Sequence, residues 1–291
     1  MSLVPTTSTV KVSNGVNVWY REAGDRAKPT FLLLHGFPTS SIMYRNLITI
    51  LAPHFHVIAP DLPGYGFTEV PDKFEYTFAN LTDTIELFVD AIKLTKFAIY
   101  IFDYGAPVGL RLALKRPHQI TGIVTQNGNA YDEGLDHKFW GIIEEYWKTD
   151  ANNTKYIQGL SQFVEDPKNI KDQYSVGFTN PTSVDPTPYY LDKALIERPG
   201  QTKIQVALFY DYQNNVKLYP QFQEYFRKSN VPVLATWGKN DYIFAHPGAE
   251  AYKRDVKNIK VKYYETGHFA LEEFVNEIGA DIIDFFGPIL H

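Results

Sequence analysis

The residues best equipped for chemistry lie where an apolar run meets a helical pattern. In Phe97-Ala98-Ile99-Tyr100-Ile101-Phe102-Asp103-Tyr104-Gly105-Ala106-Pro107-Val108-Gly109, a strand pattern runs straight into a helix pattern, with Asp103 at the junction. A turn this tight holds its central side chain above the end of the strand. That is the geometry of a nucleophile elbow, usually written Gly-x-Ser-x-Gly. Here Asp103 takes the central place, Gly105 allows close approach, and Ile101 replaces the first glycine. Taken alone, the segment equally suits Asp103 as a cap for the helix. Two later segments bear on the choice. His268 in Thr266-Gly267-His268-Phe269 follows the last strand pattern and has the chemistry of a general base. Asp241 in Trp237-Gly238-Lys239-Asn240-Asp241 lies just past a strand; it suits either a surface turn or the carboxylate that orients a base. The chain order Asp103, Asp241, His268 is the one an elbow scheme requires.

The elements that must position these side chains read as alternating strands and helices. Candidate strands are Val10–Val12, Val16–Arg21, Phe31–Leu34, His56–Ala59, Phe97–Phe102, Ile120–Gln126, Val233–Trp237 and Lys260–Tyr264. Several are apolar throughout, as strands covered on both faces should be. The first two flank Asn14-Gly15 and read as a hairpin. Helices are predicted after Ser40, over Asn80–Leu94 and Ala106–Lys115, near Gly248–Asp255, and over Glu272–Phe286. Between about Tyr131 and Tyr225 the rhythm breaks into helical patches without a convincing strand. This reads as a helical insertion in a mostly parallel sheet domain.

The composition removes other classes. The chain has 291 residues and no cysteine, with 28 Lys+Arg against 33 Asp+Glu and a formal net charge of −5. A chain of this length fits one large α/β domain and buries roughly 75% of its unfolded surface. Without cysteine there is no disulfide, no thiolate nucleophile and no Cys-ligated metal. Mild acidity and the lack of a basic run argue against a nucleic-acid partner. No apolar run approaches the ~20 residues that span a bilayer. The polar stretch Met1–Val10 lacks the basic flank and apolar core of a signal peptide. The expectation is a soluble cytoplasmic enzyme with no membrane partner, either a monomer or a homodimer.

His35-Gly36-Phe37-Pro38, Asp61-Leu62-Pro63-Gly64-Tyr65-Gly66, Asp103-Tyr104-Gly105, Gly238-Lys239-Asn240-Asp241 and Gly267-His268-Phe269 together resemble the α/β-hydrolases, in the branch of epoxide hydrolases and haloalkane dehalogenases. The resemblance covers nearly the whole chain. It implies an α/β-hydrolase fold: a mostly parallel eight-stranded sheet formed by residues 1–130 and 226–291, with residues 131–225 as a helical lid inserted after strand 6. It implies Asp103 as nucleophile, Asp241 as the orienting acid and His268 as base. The backbone N–H groups of Phe37 and Tyr104 would form the oxyanion hole, with His35 and Asn127 on the substrate-binding side. No metal or other cofactor is implied. Asn127 occupies the alternative acid position of some dehalogenases and is not a carboxylate, which supports Asp241.

A carboxylate nucleophile suits an sp³ carbon, because attack on an acyl carbon would give an anhydride. The resemblance therefore implies an alkyl-enzyme ester on Asp103, hydrolysed by water that His268 activates. A leaving alkoxide needs a proton donor, which epoxide hydrolases usually draw from two lid tyrosines. A leaving halide needs N–H donors, usually a Trp after the nucleophile and a second Trp or Asn. This chain has Tyr104 after the nucleophile and Phe37 before Pro38, so the usual halide set is missing. Ten of the twenty tyrosines fall within residues 131–225. Asp211-Tyr212-Gln213-Asn214 resembles the segment that carries the second lid tyrosine, which nominates Tyr212; Tyr146 is the candidate for the first. Asp211 is a second carboxylate able to point into the cleft. The expected substrate is a small apolar epoxide or a related electrophile, with an alkyl halide as the alternative and a non-catalytic ligand receptor as a more distant one.

Overall fold

A computed structural model describes residues 4–290; Met1–Leu3, the start of the polar stretch, lie outside them. Strands β1 (Thr6–Lys11), β2 (Asn17–Ala23), β3 (Thr30–Leu34), β4 (His56–Pro60), β5 (Phe97–Phe102), β6 (Ile120–Gln126), β7 (Val233–Gly238) and β8 (Ile259–Tyr264) make one eight-stranded sheet. Their order is β1-β2-β4-β3-β5-β6-β7-β8. β1 and β2 pair antiparallel, as do β2 and β4, and every later pair is parallel. The first strand lies earlier than Val10–Val12, at Thr6–Lys11. It is an exposed edge, held by its ladder to β2 through backbone bonds that need no apolar pattern. The hairpin turn does fall at Asn14-Gly15, with Gly15 at φ 87° and its N–H bonded to the Val12 carbonyl.

The inner strands are buried along nearly their whole length because both faces are covered. Successive side chains alternate between two cores. Leu32, Leu34, Ile99, Ile101 and Ile123 face one; Phe31, Leu33, Ala98, Tyr100 and Val124 face the other. Burying each Leu, Ile or Phe stabilises the fold by about 1.5–3 kcal/mol.

The helices are α1 (Arg45–Leu51), α2 (Phe78–Ala91) and α3 (Gly105–Lys115), then α4 (His137–Trp147), α5 (Thr154–Glu165), α6 (Pro167–Ser175), α7 (Pro186–Ile196), α8 (Gln201–Asp211), α9 (Gln213–Val216) and α10 (Tyr219–Ser229), then α11 (Pro247–Ala251) and α12 (Leu271–Phe286). α2, α3 and α10 cover the first core, and α1 and α12 the second. Helices α4–α10 lie between β6 and β7, with no strand among them. Local signals start these helices. Asp136, Asn153, Asp166 and Asp185 cap α4, α5, α6 and α7, and Pro167 and Pro186 stand in first turns.

Specific bonds join this helical segment to the sheet. Trp140 Nε1 donates to the Ile243 carbonyl, Tyr174 bonds Thr39, and Arg45 pairs with both Glu272 and Asp185. Asp211 Oδ2 accepts from the Phe78 N–H at 2.7 Å, and Oδ1 accepts from Asn214. The idea that Asp211 points into the cleft is thereby corrected. It is held by the first N–H of α2 on one oxygen and by Asn214 on α9 on the other, so both oxygens are satisfied away from the cleft.

Candidate functional site

Asp103 sits between β5 and α3 in a left-handed conformation, φ 48°, which raises its side chain above the sheet edge. The elbow forms although its first glycine is Ile101. The room comes from the facing helix: a Cβ on Gly109 would stand 2.5 Å from Ile101 Cγ2. Gly105 is needed because a Cβ there would meet the Leu34 carbonyl oxygen at 2.0 Å. The tight approach of the β3 loop brings Phe37 to the carboxylate.

The two Asp103 oxygens have different surroundings. Oδ1 accepts from the Phe37 N–H at 2.6 Å, and the Tyr104 N–H also bonds the carboxylate. Oδ2 lies 3.8 Å from His268 Nε2. The other imidazole nitrogen, Nδ1, is 2.7 Å from Asp241 Oδ2. Asp241 Oδ1 accepts from the Ile243 N–H, so its orientation is fixed. Burial pushes the Asp103 acid up to about 6, against the pull of His268 and the two N–H groups. Burial also opposes charge on His268, but Asp241 and then Asp103 outweigh it, so His268 holds its proton above its ordinary pKa.

The structure therefore brings Asp103, Asp241, His268, Phe37 and Tyr104 together at the carboxyl edge of the sheet. Two expected substrate-side residues act differently. His35 is fully buried, and its Nε2 accepts from the Leu62 N–H at 2.9 Å. Nδ1 therefore carries the hydrogen and donates to the Gly36 carbonyl. Both nitrogens are committed, and burial lowers the pKa to about 4. His35 is a neutral brace between two loops and not a substrate contact. Asn127 also turns away from substrate. Its Nδ2 donates to Asp241 Oδ2 at 2.7 Å, and its Oδ1 accepts from the Gly238 N–H at 2.9 Å. It holds the carboxylate that holds the histidine.

The tyrosines divide. Tyr212 is fully buried, 5.9 Å from Tyr104 between ring centroids and 4.5 Å from Trp140, and the Asp103 charge reaches it. Its hydroxyl has one long contact, 3.5 Å to the Tyr219 hydroxyl, which Asn129 Nδ2 holds at 3.2 Å. Tyr146 is a correction. Its hydroxyl donates to the Ala151 carbonyl, and its ring packs against Tyr156 and Tyr210 on the far side of the helices. Six residues earlier on α4, Trp140 takes the inward face instead, at 5.4 Å from Phe244.

Phe37, Phe209, Phe244, Trp140 and Tyr212 form an aromatic wall beside the carboxylate. Residue reading missed Phe209, Phe244 and Trp140, because aromatic side chains in a helical pattern look the same whether they fill a core or line a chamber. It also missed Tyr65, which donates to Gln205 Oε1 at 2.5 Å, although Tyr65 stands in the Asp61–Gly66 segment. Asp61 itself ties that loop down, accepting from the Ser41 and Phe67 N–H groups. The assembly presents a carboxylate held by backbone N–H donors, with Oδ1 on Phe37 and Oδ2 3.8 Å from a base whose imidazole is oriented by Asp241. Among the described residues, no group of three or more His, Asp or Glu is placed to hold a metal, and no helix is long and apolar enough to cross a membrane.

Residues 29–275 match the model of the alpha/beta hydrolase fold family, and the chain belongs to that family. It is a hydrolase by class. An uncharacterized hydrolase of Saccharomyces cerevisiae is 58% identical over 277 residues, 95% of this chain and 96% of that protein. A haloalkane dehalogenase of Mesorhizobium japonicum is 39% identical over 104 residues, covering 36% of this chain and 33% of its own. Among solved structures, a haloalkane dehalogenase from Bradyrhizobium elkani superposes with a TM-score of 0.80 at 19% identity, over 98% of both chains. The epoxide hydrolase CorEH does so at 0.77 and 20% identity, over 98% of this chain and 99% of its own. These two likenesses concern the fold.

Proposed function

We propose that the protein is an epoxide hydrolase that converts an epoxide and water to a vicinal diol through an ester on Asp103, with the helical segment 131–225 as the lid over the site. Asp103 Oδ2 attacks the less hindered ring carbon, and the C–O bond breaks toward oxygen. The ring oxygen takes a proton from a tyrosine hydroxyl, in which Tyr212 takes part. His268 then removes a proton from water, and the hydroxide adds to the Asp103 carbonyl carbon. The negative oxygen formed at Oδ1 is met by the Phe37 and Tyr104 N–H groups. Asp241 stabilises the imidazolium. Collapse releases the diol, with the second alcohol taking its proton from His268. The proton left on the regenerated Asp103 carboxyl returns to the tyrosinate.

The observation that carries epoxide over halide is the commitment of the indoles. Trp140 Nε1 donates to the Ile243 carbonyl, Trp147 Nε1 to Phe209, and Trp237 Nε1 to Phe244. The remaining Trp19 is on β2, against Phe67 and Arg21. None of the three bonded indoles is free to cradle a halide, whereas the Tyr212 hydroxyl has only its long contact to Tyr219. Carbon–halogen hydrolysis by the same nucleophile is the second reading, favoured by the dehalogenase names among the relatives.

A His268→Gln variant mixed with styrene oxide should gain one epoxide mass, on the peptide that holds Asp103. No adduct by intact-protein mass spectrometry would overturn the reading. Faster product release from 1,2-dibromoethane than from epoxides in the native enzyme would favour the second one.

A further inference from the structure

Tyr104 was nominated for its backbone N–H, yet its side chain is the unexplained feature of the site. The residue is buried, and its hydroxyl has no hydrogen-bond partner among the described residues. A buried phenol normally finds one, since leaving it unmade costs about 1–3 kcal/mol. The ring lies 6.2 Å from Phe37, 6.5 Å from Phe209 and 5.9 Å from Tyr212, among the aromatic residues of the wall described above. Phe78 supports it edge-on at 4.9 Å. The hydroxyl feels the charge of Asp103.

The Tyr44 hydroxyl is also unpartnered, but its ring packs against Tyr100 in the second core, and other candidates for the second donor are occupied. The Tyr65 hydroxyl is given to Gln205, the Tyr146 hydroxyl to Ala151, and the Trp140 and Trp147 indoles to backbone carbonyls. Tyr212 has only its long contact to Tyr219.

We propose that the Tyr104 hydroxyl, paired with that of Tyr212, donates to the oxygen released when the ring opens, so that one donor comes from the elbow and one from the lid. The inference rests on the epoxide reading of the site. In the step, the Asp103 Oδ2–carbon bond forms and the carbon–oxygen bond breaks. The oxygen receives one phenolic proton while the second phenol hydrogen-bonds it. The resulting tyrosinate recovers its proton from the Asp103 carboxyl after ester hydrolysis. A donor carried by the residue next to the nucleophile keeps its place if the lid moves, so it fixes the oxygen relative to the attacking carboxylate.

The test measures ester formation from styrene oxide in single turnovers, in the His268→Gln background. Adding Tyr104→Phe should slow alkylation by about tenfold or more, as part of the usual contribution of a general acid. Hydrolysis of the ester, followed in Tyr104→Phe alone with His268 intact, should keep its native rate because the Tyr104 backbone N–H remains. Adding Tyr212→Phe as well should remove most remaining alkylation. In Tyr212→Phe alone, alkylation should still produce the ultraviolet difference spectrum of a tyrosinate, a readout that holds even if the Tyr104 variant fails to fold. Native alkylation in Tyr104→Phe, or no tyrosinate in Tyr212→Phe while it alkylates, would overturn this inference and leave the epoxide reading intact. No ester in His268→Gln alone would sink that reading instead.

Discussion

His268 Nε2 stands 3.8 Å from Asp103 Oδ2, outside hydrogen-bond range, while its Nδ1 is bound to Asp241 at 2.7 Å. A serine nucleophile must give its proton to the base and so must touch it. A carboxylate has no proton to give. Under the proposed mechanism the base is needed only in the second step, and the separation leaves the attacking oxygen open to the substrate.

The first step should show the Asp103 titration. Attack requires the carboxylate, and burial raises that acid to about 6. Alkylation should therefore be fully present above that value and fall as the pH drops through about 6. Rapid-quench mass spectrometry across the range checks this. A rate still level well below 5 would contradict it, since the group would then titrate as an ordinary aspartate.

The second step should follow a different titration. Asp241 and Asp103 together hold the His268 proton against burial. Esterification removes the Asp103 charge, so His268 becomes easier to deprotonate within the intermediate. Hydrolysis needs the neutral imidazole and declines as pH falls. Its midpoint should lie below that of His268 in the free enzyme, followed by NMR. Equal midpoints would mean that Asp103 does not act on the base.

Asn127→Ala should impair hydrolysis more than alkylation. The variant loses the donor to Asp241 Oδ2 and the acceptor for the Gly238 N–H. Removing a hydrogen bond to a charged group costs about 1.5–3 kcal/mol. Chemical denaturation should show a loss of that size, and ester should accumulate in the steady state. An unchanged ratio of the two step rates would rule out its role in holding Asp241.

Tyr146→Phe should leave turnover and its pH profile at native values, since only the bond to the Ala151 carbonyl is lost. Tyr212→Phe should lower alkylation by about tenfold or more. Steady-state and single-turnover rates on one epoxide separate the two. Equal losses would mean that the hydroxyl directions described above are wrong.

Gly109 and Ile101 should be energetically coupled. A Cβ at 109 would stand 2.5 Å from Ile101 Cγ2. Gly109→Ala should destabilise by about 1–3 kcal/mol, the usual cost of overpacking. In the Gly109→Ala background, Ile101→Ala should cost less than it does in the native chain. A double-mutant cycle by denaturation reads the coupling, and strict additivity would remove the account of how the elbow tolerates Ile101.

The sequence determined the sheet and the three polar residues at its edge. Apolar runs of strand length mark β3 to β7 because a strand covered on both faces is apolar at most positions. Asp103 follows such a run directly, Asp241 lies three residues past β7 and His268 four past β8, so their place at one edge comes from topology, and the hairpin turn was written locally in Asn14-Gly15. β1 was less legible, because an exposed edge strand needs only backbone partners. Only the tertiary structure decided which side chains face the carboxylate. Tyr146 and Tyr212 are both buried aromatics on or beside helices between β6 and β7, and nothing local separates the one bonded to Ala151 from the one beside Tyr104. The partners of His35 and Asn127, Leu62 and Asp241, come from other loops. A side chain's direction depends on how elements distant in sequence pack, and a hydrogen bond across that packing leaves no periodic trace in the chain.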